Sequence, residues 1–374
     1  MKEPKIRFKG FCGEWEKNKL SHMVYSISSG KDTPSKGNFP LYGSTGIIGT
    51  VCSPSHSGPL LLVARVGANA GHIQLVDEEC GITDNTLIVC PKAETLLDYL
   101  YYFFQQLNLN KLVYGSGQPL ITGGMLKNID VRVGSEDESQ LLTIYFQHLD
   151  TLIQSTTKKI ESLKQVKAAS LQSMFPQEGE TKPRVRFKGF EGEWEKLKAD
   201  EIFKAFNEKN FPHLPVLSAT QDRGMVMREE IGYNIFHDKS NEKTYKHILP
   251  GQFVIHLRSF QGGFAHSSIE GIASPAYTVM EFKNKSRHSD LFWKYIFMSK
   301  EFIKRLELIT YGIRDGRSIS FEEFSDMYFF VPFCEEQTAI ASYLTNLDTQ
   351  ITLQTQRLEK LKQIKSACLD NMFV

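Results

Sequence analysis

The sequence predicts two tandem copies of an α/β (α+β) globular domain, connected by two long coiled-coil helices and related by an internal pseudo-two-fold symmetry. Two repeated segments predict this architecture. The leader "RFKGFCGEWEKNKL", which begins at Arg7, returns as "RFKGFEGEWEKLKA" from Arg186. The segment "YFQHLDTLIQSTTKKIESLKQVKAASLQSMF" from Tyr145 returns as "YLTNLDTQITLQTQRLEKLKQIKSACLDNMF" from Tyr343. Repeats so far apart indicate two copies of one domain rather than a solenoid of small units.

Both copies of the longer segment are predicted to be helical. Apolar residues recur three and four positions apart with no Gly or Pro between them, which is typical of a narrow coiled-coil seam. A stretch of about 35 residues forms a rod of roughly 50 Å, and two such rods most simply pack on each other. Pro176 ends the first rod. The predicted interface residues are Leu149, Ile153, Thr156, Ile160, Leu163, Val166, Leu347, Ile351, Gln354, Leu358, Leu361 and Ile364.

Two of these interface positions are polar. Thr156 and Gln354 occupy matching places in the two copies. One interpretation is that the seam drifts towards the helix surface there. The other is a polar layer that fixes the register of the two helices.

The region between each leader and its helix indicates a compact α/β domain. Short apolar runs between turn residues predict strands within Gly58–Val76 and Gly251–Gly271. Amphipathic patterns predict helices over Thr95–Leu107 and Ser289–Leu308.

The composition is that of a soluble globular protein with room for two cores, with 374 residues, 41% hydrophobic and 23% charged. The formal net charge is only +1, so a basic surface must be local. This weakens the case for a free-standing nucleic-acid binder of high affinity but allows a nucleic-acid-binding subunit of an assembly. The charged start "MKEPKIRFKG" does not resemble a signal peptide, and no apolar run approaches the roughly 18 residues of a membrane span. We therefore expect a cytoplasmic protein with reduced thiols at Cys12, Cys52, Cys80, Cys90, Cys334 and Cys368.

Catalytic motifs are missing from the sequence. It has no GxxxxGK[ST] phosphate loop, no HExxH, no GxSxG and no paired-carboxylate motif. The glycines of Gly43–Gly49 do not have the dinucleotide-binding spacing and are interpreted as turn glycines. "SPAY" from Ser274 faintly echoes the NPPY signature of adenine methyltransferases, but it lacks the leading residues and we interpret it as a strand edge.

The predicted loops place Arg, Lys, Asn, Gln, Ser and Thr among glycines in both halves. Such side chains bond to base edges and phosphates, with Arg suited to guanine and Asn or Gln to adenine. Any one of them could simply be a polar loop residue, but the matched sets favour contact with DNA. The candidate DNA-binding residues are Lys31, Lys36, Ser44, Thr45, Arg65, Asn69, Asn85 and Gln118 in the first half, and Ser218, Thr220, Gln221, Arg223, Arg258, Gln261, Arg314 and Arg317 in the second.

The ordered set of motifs resembles the specificity subunit of type I DNA restriction–modification enzymes over nearly the whole chain. The motifs are the leader "RFKGFxGEWE", "GSGQPL" from Gly115, "VPFCEEQTAIASYL" from Val331, and the second long helix. The first copy departs from the family pattern "PPLxEQ" at the start of the long helix, where "VRVGSEDESQ" lacks both prolines and has Ser139 in place of the final Glu.

The resemblance implies a non-catalytic subunit whose two target-recognition domains each read one half of a split double-stranded DNA target. Two long antiparallel helices would act as the spacer. Two modification (methyltransferase) subunits would dock on the chain, with restriction subunits attached through them. No cofactor is expected on this chain itself. S-adenosylmethionine belongs to the modification subunits, and ATP and Mg belong to the restriction subunits.

The resemblance also explains the repeated leader, because two equivalent docking surfaces require each domain to join the helices in the same way. Its aromatic residues would anchor it, namely Phe8, Phe11 and Trp15 in the first copy and Phe187, Phe190 and Trp194 in the second. The predicted boundaries are 1–140 for the first leader and recognition domain, 141–176 for the first spacer helix, 177–335 for the second leader and domain, and 336–374 for the second helix.

Two alternatives remain at this point. A fused methyltransferase or nuclease is disfavoured by the missing cofactor and metal motifs. A coiled-coil scaffold that only assembles proteins accounts for the helices but not for two duplicated, loop-rich domains.

Overall fold

The computed structural model describes residues 3–113, 119–220, 223–231, 239–256, 263–310 and 319–374. The chain divides into two compact units. Unit 1 contains Met1–Lys158 and Thr355–Val374, and unit 2 contains Lys159–Gln354. Each unit therefore includes one segment of each long helix.

Unit 1 is built on two four-stranded sheets. Its strands are β1 (Glu16–Lys19), β2 (Val24–Ser29), β3 (Phe39–Gly43), β4 (Gly46–Val51), β5 (His56–Ser57), β6 (Leu60–Ala64), β7 (Ile73–Val76), β8 (Glu79–Ile82), β9 (Thr86–Pro91) and β10 (Asp130–Val133). One sheet has the antiparallel order β2-β9-β6-β7, and the other has the order β4-β3-β8-β5 with β3 and β8 parallel. The β1 strand, which continues the leader, pairs with β10 just before the long helix.

The helices of unit 1 are α1 (Leu20–Met23), α2 (Thr95–Leu107), α3 (Gly123–Lys127) and the first part of α4 (Glu136–Ser173). The α2 helix has the bounds that the amphipathic pattern predicts. It buries Tyr99, Leu100 and Phe103 in a core shared with Trp15 of the leader. Phe373, which directly follows the second long helix, completes this core with its ring centroid 5.4 Å from that of Tyr99.

Unit 2 repeats the same plan. Its strands are β11 (Glu195–Lys198), β12 (Phe203–Phe206), β13 (Leu217–Thr220), β14 (Gly224–Met227), β15 (Lys246–Ile248), β16 (Phe253–Ile255), β17 (Phe264–His266), β18 (Gly271–Ala273), β19 (Thr278–Phe282) and β20 (Tyr328–Val331). The sheet order β12-β19-β16-β17 matches β2-β9-β6-β7 of unit 1, and the β11–β20 pair matches β1–β10. The β13–β14 and β15–β18 pairs complete the described sheets. The sequence duplication is therefore also a duplication of topology.

The helices of unit 2 are α5 (Ala199–Ile202), α6 (Asp290–Met298), α7 (Lys300–Thr310), α8 (Phe321–Ser325) and part of α9 (Cys334–Met372). The single helix predicted over Ser289–Leu308 is thus wrong, because the chain breaks at Ser299. The backbone of Ser299 is extended, with φ −70° and ψ 144°, and its Oγ accepts a hydrogen bond from the Phe302 backbone N–H at 3.2 Å. A serine that caps a new helix in this way favours a break over continuation. Similarly, the "SPAY" segment forms a turn between β18 and β19 rather than a strand edge, with the Tyr277 N–H donating to the Ser274 carbonyl.

The long helices α4 and α9 contain 38 and 39 residues, so each is roughly 57–59 Å long. Within unit 1, Tyr145 contacts Cys368 and Asp150 contacts Lys365, so the α4 and α9 segments run antiparallel. Within unit 2, Ser170 contacts Tyr343 and Lys167 contacts Asp348, which gives the same direction. Both helices begin before the predicted bounds of 141 and 336.

The predicted seam is only partly buried. Leu149, Thr156, Ile160 and Leu347 are buried, whereas Ile153, Leu163, Ile351, Gln354, Leu358 and Leu361 are partly exposed. Val166 and Ile364 are 43% and 37% exposed, so the seam does not pass through them as predicted. An α-helix repeats every 3.6 residues, and the inward face passes instead from Leu163 to Lys167, which bonds to α9, and to the buried Ser170.

The two polar seam residues belong to different units, Thr156 to unit 1 and Gln354 to unit 2. The contacts of Asp150 and Tyr145 place Thr156 level with about Leu358 of α9 in unit 1. The corresponding contacts in unit 2 place Gln354 level with Ile160. Each of the two polar residues therefore lies level with an apolar residue of the other long helix within its own unit.

Each leader is attached to both long helices by repeated contacts. Arg7 donates through Nε and Nη2 to the two carboxylate oxygens of Glu138 at 2.8 and 2.7 Å, and Arg186 binds Glu336 at the same two distances. These paired, charge-assisted bonds are among the strongest that side chains make. The backbone of the first leader also bonds to the C-terminal end of α9, where the Ile6 N–H donates to the Asn371 carbonyl at 3.0 Å.

The predicted aromatic anchor takes the same form in each leader. Trp15 and Trp194 are each 4% exposed. Phe8 makes an edge contact with Tyr145 of α4, and Phe187 makes one with Tyr343 of α9, both at 5.9 Å between ring centroids. The remaining leader residues of this set, Phe11 and Phe190, are partly exposed.

These contacts correct the alignment of the two helix starts. Glu138 occupies the position of Glu336, because each holds the leader arginine. Ser139 therefore replaces Gln337 and not a glutamate. Gln337 donates to the Pro332 carbonyl at 2.9 Å, whereas the Ser139 hydroxyl is buried with no hydrogen-bond partner among the described residues. The first copy therefore has the glutamate that binds the leader arginine but has serine in place of the glutamine.

Candidate nucleic-acid interface

In unit 1 the candidate residues gather around the turn between β8 and β9, formed by Thr83, Asp84 and Asn85. The Thr83 N–H donates to the Tyr42 carbonyl at 3.0 Å, which continues the parallel β3–β8 pairing to the tip of the β3–β4 hairpin. That tip carries Ser44 and Thr45, and Gly46 at φ +99° makes the tight turn possible. We call this region the unit 1 edge.

Lys31 reaches the same edge from the loop after β2. The Gly30 N–H donates to the Thr86 carbonyl at 3.1 Å. A Cβ atom on Gly30 would lie 2.0 Å from the Ile82 carbonyl oxygen, so only glycine permits this close approach. The side chain of Lys31 is exposed at the position so fixed.

Arg65 and Asn69 belong to the loop between β6 and β7 and complete the unit 1 edge. The Arg65 N–H donates to the Asn85 carbonyl at 2.8 Å, and one guanidinium nitrogen lies 3.4 Å from the Asp84 carbonyl. Asn69 is exposed and closes a turn by accepting from the His72 N–H at 2.9 Å. The edge therefore presents amide, hydroxyl and cationic groups from four separate loops.

Lys36 does not belong to the edge. Its neighbour Ser35 donates through its N–H to the Thr50 carbonyl, towards the far end of the β3–β4 hairpin. At about 3.4 Å per strand residue, this point lies roughly 14 Å from the hairpin tip. Gln118 lies outside the described residues.

The electrostatics of the unit 1 edge are mixed rather than strongly basic. Asp32 accepts from the Ile82 N–H at 2.7 Å and from the Ser55 hydroxyl, so it organises the loop that carries Lys31. Beneath the edge, burial and a hydrogen bond to Glu78 raise the pKa of Tyr42 to about 12, so this phenol stays neutral. Such an edge supplies hydrogen-bonding groups suited to reading base edges rather than a purely cationic surface.

In unit 2 the corresponding hairpin is β13–β14. The preceding residue Val216 makes a parallel bridge to Ile272 of β18, as β3 does to β8 in unit 1. The Thr220 hydroxyl donates to the Gly224 carbonyl at 2.7 Å and accepts from the Arg223 N–H at 3.1 Å. This bonding shapes the turn and leaves the Arg223 side chain exposed.

Ser218 does not fit the prediction of DNA contact. It is 6% exposed, and its hydroxyl accepts from Arg228 Nε at 3.3 Å. Ser218 belongs to strand β13, where both it and its neighbour Leu217 are buried, and loop placement by sequence did not reveal this. Gln221, Arg258, Gln261, Arg314 and Arg317 all lie outside the described residues.

Two features of these edges were missed from the sequence. Arg228 follows β14, bonds to Ser218 and lies over the ring of Tyr245 at 5.9 Å, so an arginine is held beside the unit 2 hairpin. In unit 1, Ile47 and Ile48 of the hairpin are 61% and 47% exposed. Apolar residues next to a polar hairpin tip could have been noticed only if the strand register had been known.

The described residues contain no cluster of three or more His, Cys, Asp or Glu side chains able to hold a metal ion. All six cysteines lie in the described part of the chain and are free thiols. Among the helices that the structure describes, none is long and apolar enough to cross a membrane. What both units offer is the same kind of surface, a hairpin edge with polar side chains.

Both duplicated domains match a known protein family. The family described as the type I restriction modification DNA specificity domain matches residues 13–165 and 191–363. Because the two matches cover most of the chain, this chain belongs to that family. The predicted family and fold class are confirmed.

Several relatives share this architecture. The type I restriction enzyme MjaVIII specificity subunit of Methanocaldococcus jannaschii is 25% identical over 336 residues, which cover 83% of this chain and 77% of that protein. The type I restriction enzyme EcoprrI specificity subunit of Escherichia coli is 28% identical over 120 residues, so the match spans 32% of this chain and only 30% of that protein.

Two solved structures share the fold. The crystal structure of the type I restriction-modification system S subunit from M. genitalium has a TM-score of 0.69 and 13% identity, and the match covers 100% of this chain and 99% of that one. A chain from a study of complex assembly and conformational transition of the type I R-M system has a TM-score of 0.51 and 15% identity, with 99% of both chains covered.

Proposed function

We propose that this chain is the non-catalytic DNA-specificity subunit of a type I restriction–modification enzyme, in which each unit reads one half of a bipartite target. The observation that carries the proposal is the repeated hairpin edge. Both copies of the family domain place a β-hairpin beside a parallel strand, and exposed Thr45 in unit 1 and Arg223 in unit 2 lie at or near its tip. Polar groups on such an edge can bond to base edges in a groove.

Within unit 1 the residues proposed to contact DNA are those of the edge. Lys31 and Arg65 supply positive charge, whereas Ser44, Thr45, Asn69 and Asn85 supply neutral donors and acceptors. Thr220 shapes the unit 2 hairpin and Arg223 is its proposed contact. The net charge of +1 fits a subunit that shares DNA affinity with partner proteins.

The proposed partners are double-stranded DNA, two modification (methyltransferase) subunits, and restriction subunits attached through them. In this arrangement the α4 and α9 helices act as the spacer, and the boundaries 1–140, 141–176, 177–335 and 336–374 describe the functional parts. S-adenosylmethionine would be bound by the modification subunits, and ATP and Mg by the restriction subunits. The proposed location is the cytoplasm, where the DNA target and reduced thiols are found.

The test is to map methylated sites in DNA from cells that express this chain with its modification subunits. We expect a bipartite sequence with a fixed gap. The Asn85→Ala variant should relax one position of one half-site, with a loss of about 1–3 kcal/mol of discrimination, and leave the other half-site unchanged.

Asn128 provides a matched control, because it is an exposed asparagine of the same unit that lies at the end of α3 and not in the unit 1 edge. The Asn128→Ala variant should keep the full target. An unchanged target in the Asn85 variant, or equal relaxation in both variants, would contradict base contact at the edge.

A further inference from the structure

A three-residue cluster joins three elements of unit 1. Lys365 of α9 lies with its Nζ 2.5 Å from Asp150 Oδ1 of α4. The Tyr102 hydroxyl of α2 donates to the other carboxylate oxygen of Asp150 at 3.0 Å, and Lys365 lies 5.4 Å from the centre of the Tyr102 ring. We call this the unit 1 triad. It connects the globular domain to both long helices through one carboxylate.

Unit 2 contains the same cluster with the two helices exchanged. Lys167 of α4 lies 2.5 Å from Asp348 Oδ1 of α9. The Tyr295 hydroxyl of α6 donates to Asp348 Oδ2 at 2.8 Å, and Lys167 lies 5.6 Å from the Tyr295 ring centre. This is the unit 2 triad. Residues that recur in the same bonds after so much of the domain sequence has diverged indicate a shared requirement.

The triads are ordered by their surroundings. The lysine side chains are 15% and 17% exposed and the aspartates 36% and 33%, so water screens each ion pair only in part. Burial, together with the nearby aspartate charge, raises the pKa of Tyr102 and of Tyr295 above its usual value. Both phenols therefore remain neutral donors to their aspartates.

The placement of charge along each helix selects one alignment. Each long helix contributes one aspartate and one lysine to the two triads, and the aspartate comes first along the chain in both helices. Antiparallel helices in the observed register bring each aspartate to a lysine. A parallel pair aligned by the repeat would bring aspartate to aspartate and lysine to lysine, which is repulsive.

A slipped register is also disfavoured. A slip by one heptad would place Asp150 level with Leu358 or Met372 instead of Lys365. A partly buried carboxylate would then lose its cation and face apolar side chains, which is strongly unfavourable. The seam of leucines and isoleucines alone penalises a heptad slip less, because its residues are similar in both alignments.

We propose that the two triads are the register-determining contacts of the long helices and that their tyrosines fix the docking of each recognition domain on them. The consequence for DNA, which rests on the proposed function, is that the triads determine the allowed distance between the two half-sites. Asp150, Lys365, Asp348 and Lys167 are thus positioning residues for target spacing. They need not contact DNA themselves.

The test uses charge reversal in the full-length chain. Asp150→Lys and Lys365→Asp are made singly and together, and each variant is assayed for thermal unfolding and, with modification subunits, for its methylated sites. Each single reversal should lower the unfolding temperature by roughly 5–10 °C. It should also allow methylation at sites whose gap differs from that of the wild type. The double variant, which exchanges the charges, should recover most of the stability and the single gap.

A matched surface reversal, Glu359→Lys, controls for charge on the same helix. Its partner Lys362 is 55% exposed and lies on α9 itself, so neither stability nor gap should change. If a single reversal does not yield folded protein, Asp150→Asn keeps the size of the side chain and removes only the charge.

Two results would overturn the proposal. Single reversals that leave the stability and the gap unchanged would show that the triad determines neither the helix register nor the docking of the domain. Single reversals that lower stability but keep one unchanged gap would show that the triad stabilises the unit without determining register. Failure of the proposed function would be recognised separately, because the wild-type chain would then direct no bipartite methylation while the unfolding data still tested the ion pair.

Discussion

Residues 1 to about 180, expressed alone, are expected to form a symmetric dimer. This fragment contains one leader, one recognition domain and the whole of α4, but it lacks the α9 segment that completes unit 1. The repeat supplies a substitute from a second copy. Leu171, Met174 and Phe175 match Leu369, Met372 and Phe373, three residues at the end of the chain that are 9%, 5% and 4% exposed in the core of unit 1.

The ion pair of the unit 1 triad can also form in such a dimer. Lys167 matches Lys365, so Lys167 of each copy can bind Asp150 of the other. The register further places Thr156 level with Ile160 of the second copy and not with its own equivalent. Since both contacts are the same by symmetry, the assembly is closed at two chains.

The magnitude can be worked from the buried side chains. Three large apolar side chains per contact, over two contacts, contribute about 9–18 kcal/mol at roughly 1.5–3 kcal/mol each. Association costs about 4–15 kcal/mol, so the net range includes the roughly 8 kcal/mol of a micromolar dissociation constant, and the two Lys167–Asp150 ion pairs add to the apolar contribution. Phe175→Ala should remove about 3–5 kcal/mol at each contact and yield a monomer. Leu152→Ala, at a residue of α4 that is 40% exposed, should leave the dimer intact.

Light scattering of the purified fragment measures the dimer, and methylation mapping with modification subunits measures its target. The expected site is the first half-site followed by its own inverted complement. A strict monomer at micromolar concentration, or an asymmetric target that survives in the fragment, would refute the reasoning.

Three further predictions concern spacing, base contact and pH. Four residues inserted in both α4 and α9 near the unit boundaries should widen the gap by about 6 Å, close to two base pairs, and an unchanged gap at full affinity would show that the helices are not the spacer. Arg258→Ala, outside the described residues, should relax one position of the second half-site at a cost of about 1–3 kcal/mol, whereas equal loss at every position with a weaker salt dependence would indicate a phosphate contact. Burial lowers the pKa of His288 to about 4, so the unfolded chain binds a proton that the folded chain excludes, and the free energy of unfolding should fall as pH decreases from about 6.5 towards 4. His288→Gln should show a smaller fall in denaturant midpoint between pH 7.5 and 5.0, and an identical fall would disprove this role.

The sequence predicted the elements that repeat or have strong periodicity. The duplicated leader follows from its repetition, and the two long helices and α2 follow from residues whose spacing is fixed by helix geometry. The break at Ser299 was missed because a serine within an apolar pattern indicates a cap only when the backbone around it is known. Val166 was assigned to the seam because a short segment does not distinguish a period of 3.5 from one of 3.6.

The candidate site was harder to predict, because loop composition does not give direction. Ser218 has a suitable side chain but points inward from β13, and Lys36 has a suitable charge but lies away from the hairpin tip. The triads were missed because Tyr102, Asp150 and Lys365 are far apart in sequence, and each is ordinary in its own helix. Only the antiparallel register brings them together.

The inclusion of Thr355–Val374 in unit 1 has a consequence for synthesis of the chain. The core around Trp15, Tyr99 and Phe146 receives Phe373 only after residues that lie beyond the whole second unit have been made. During translation, the aromatic side chains that pack on Phe373 are therefore uncovered in the first unit until synthesis of the second unit is complete. On a crowded polysome, the α4 helix of a neighbouring nascent chain can reach that site first, so pairing between chains competes with pairing within one chain. The delay between the two halves, as well as the stability of each, then affects how much of the product is a correctly closed single chain.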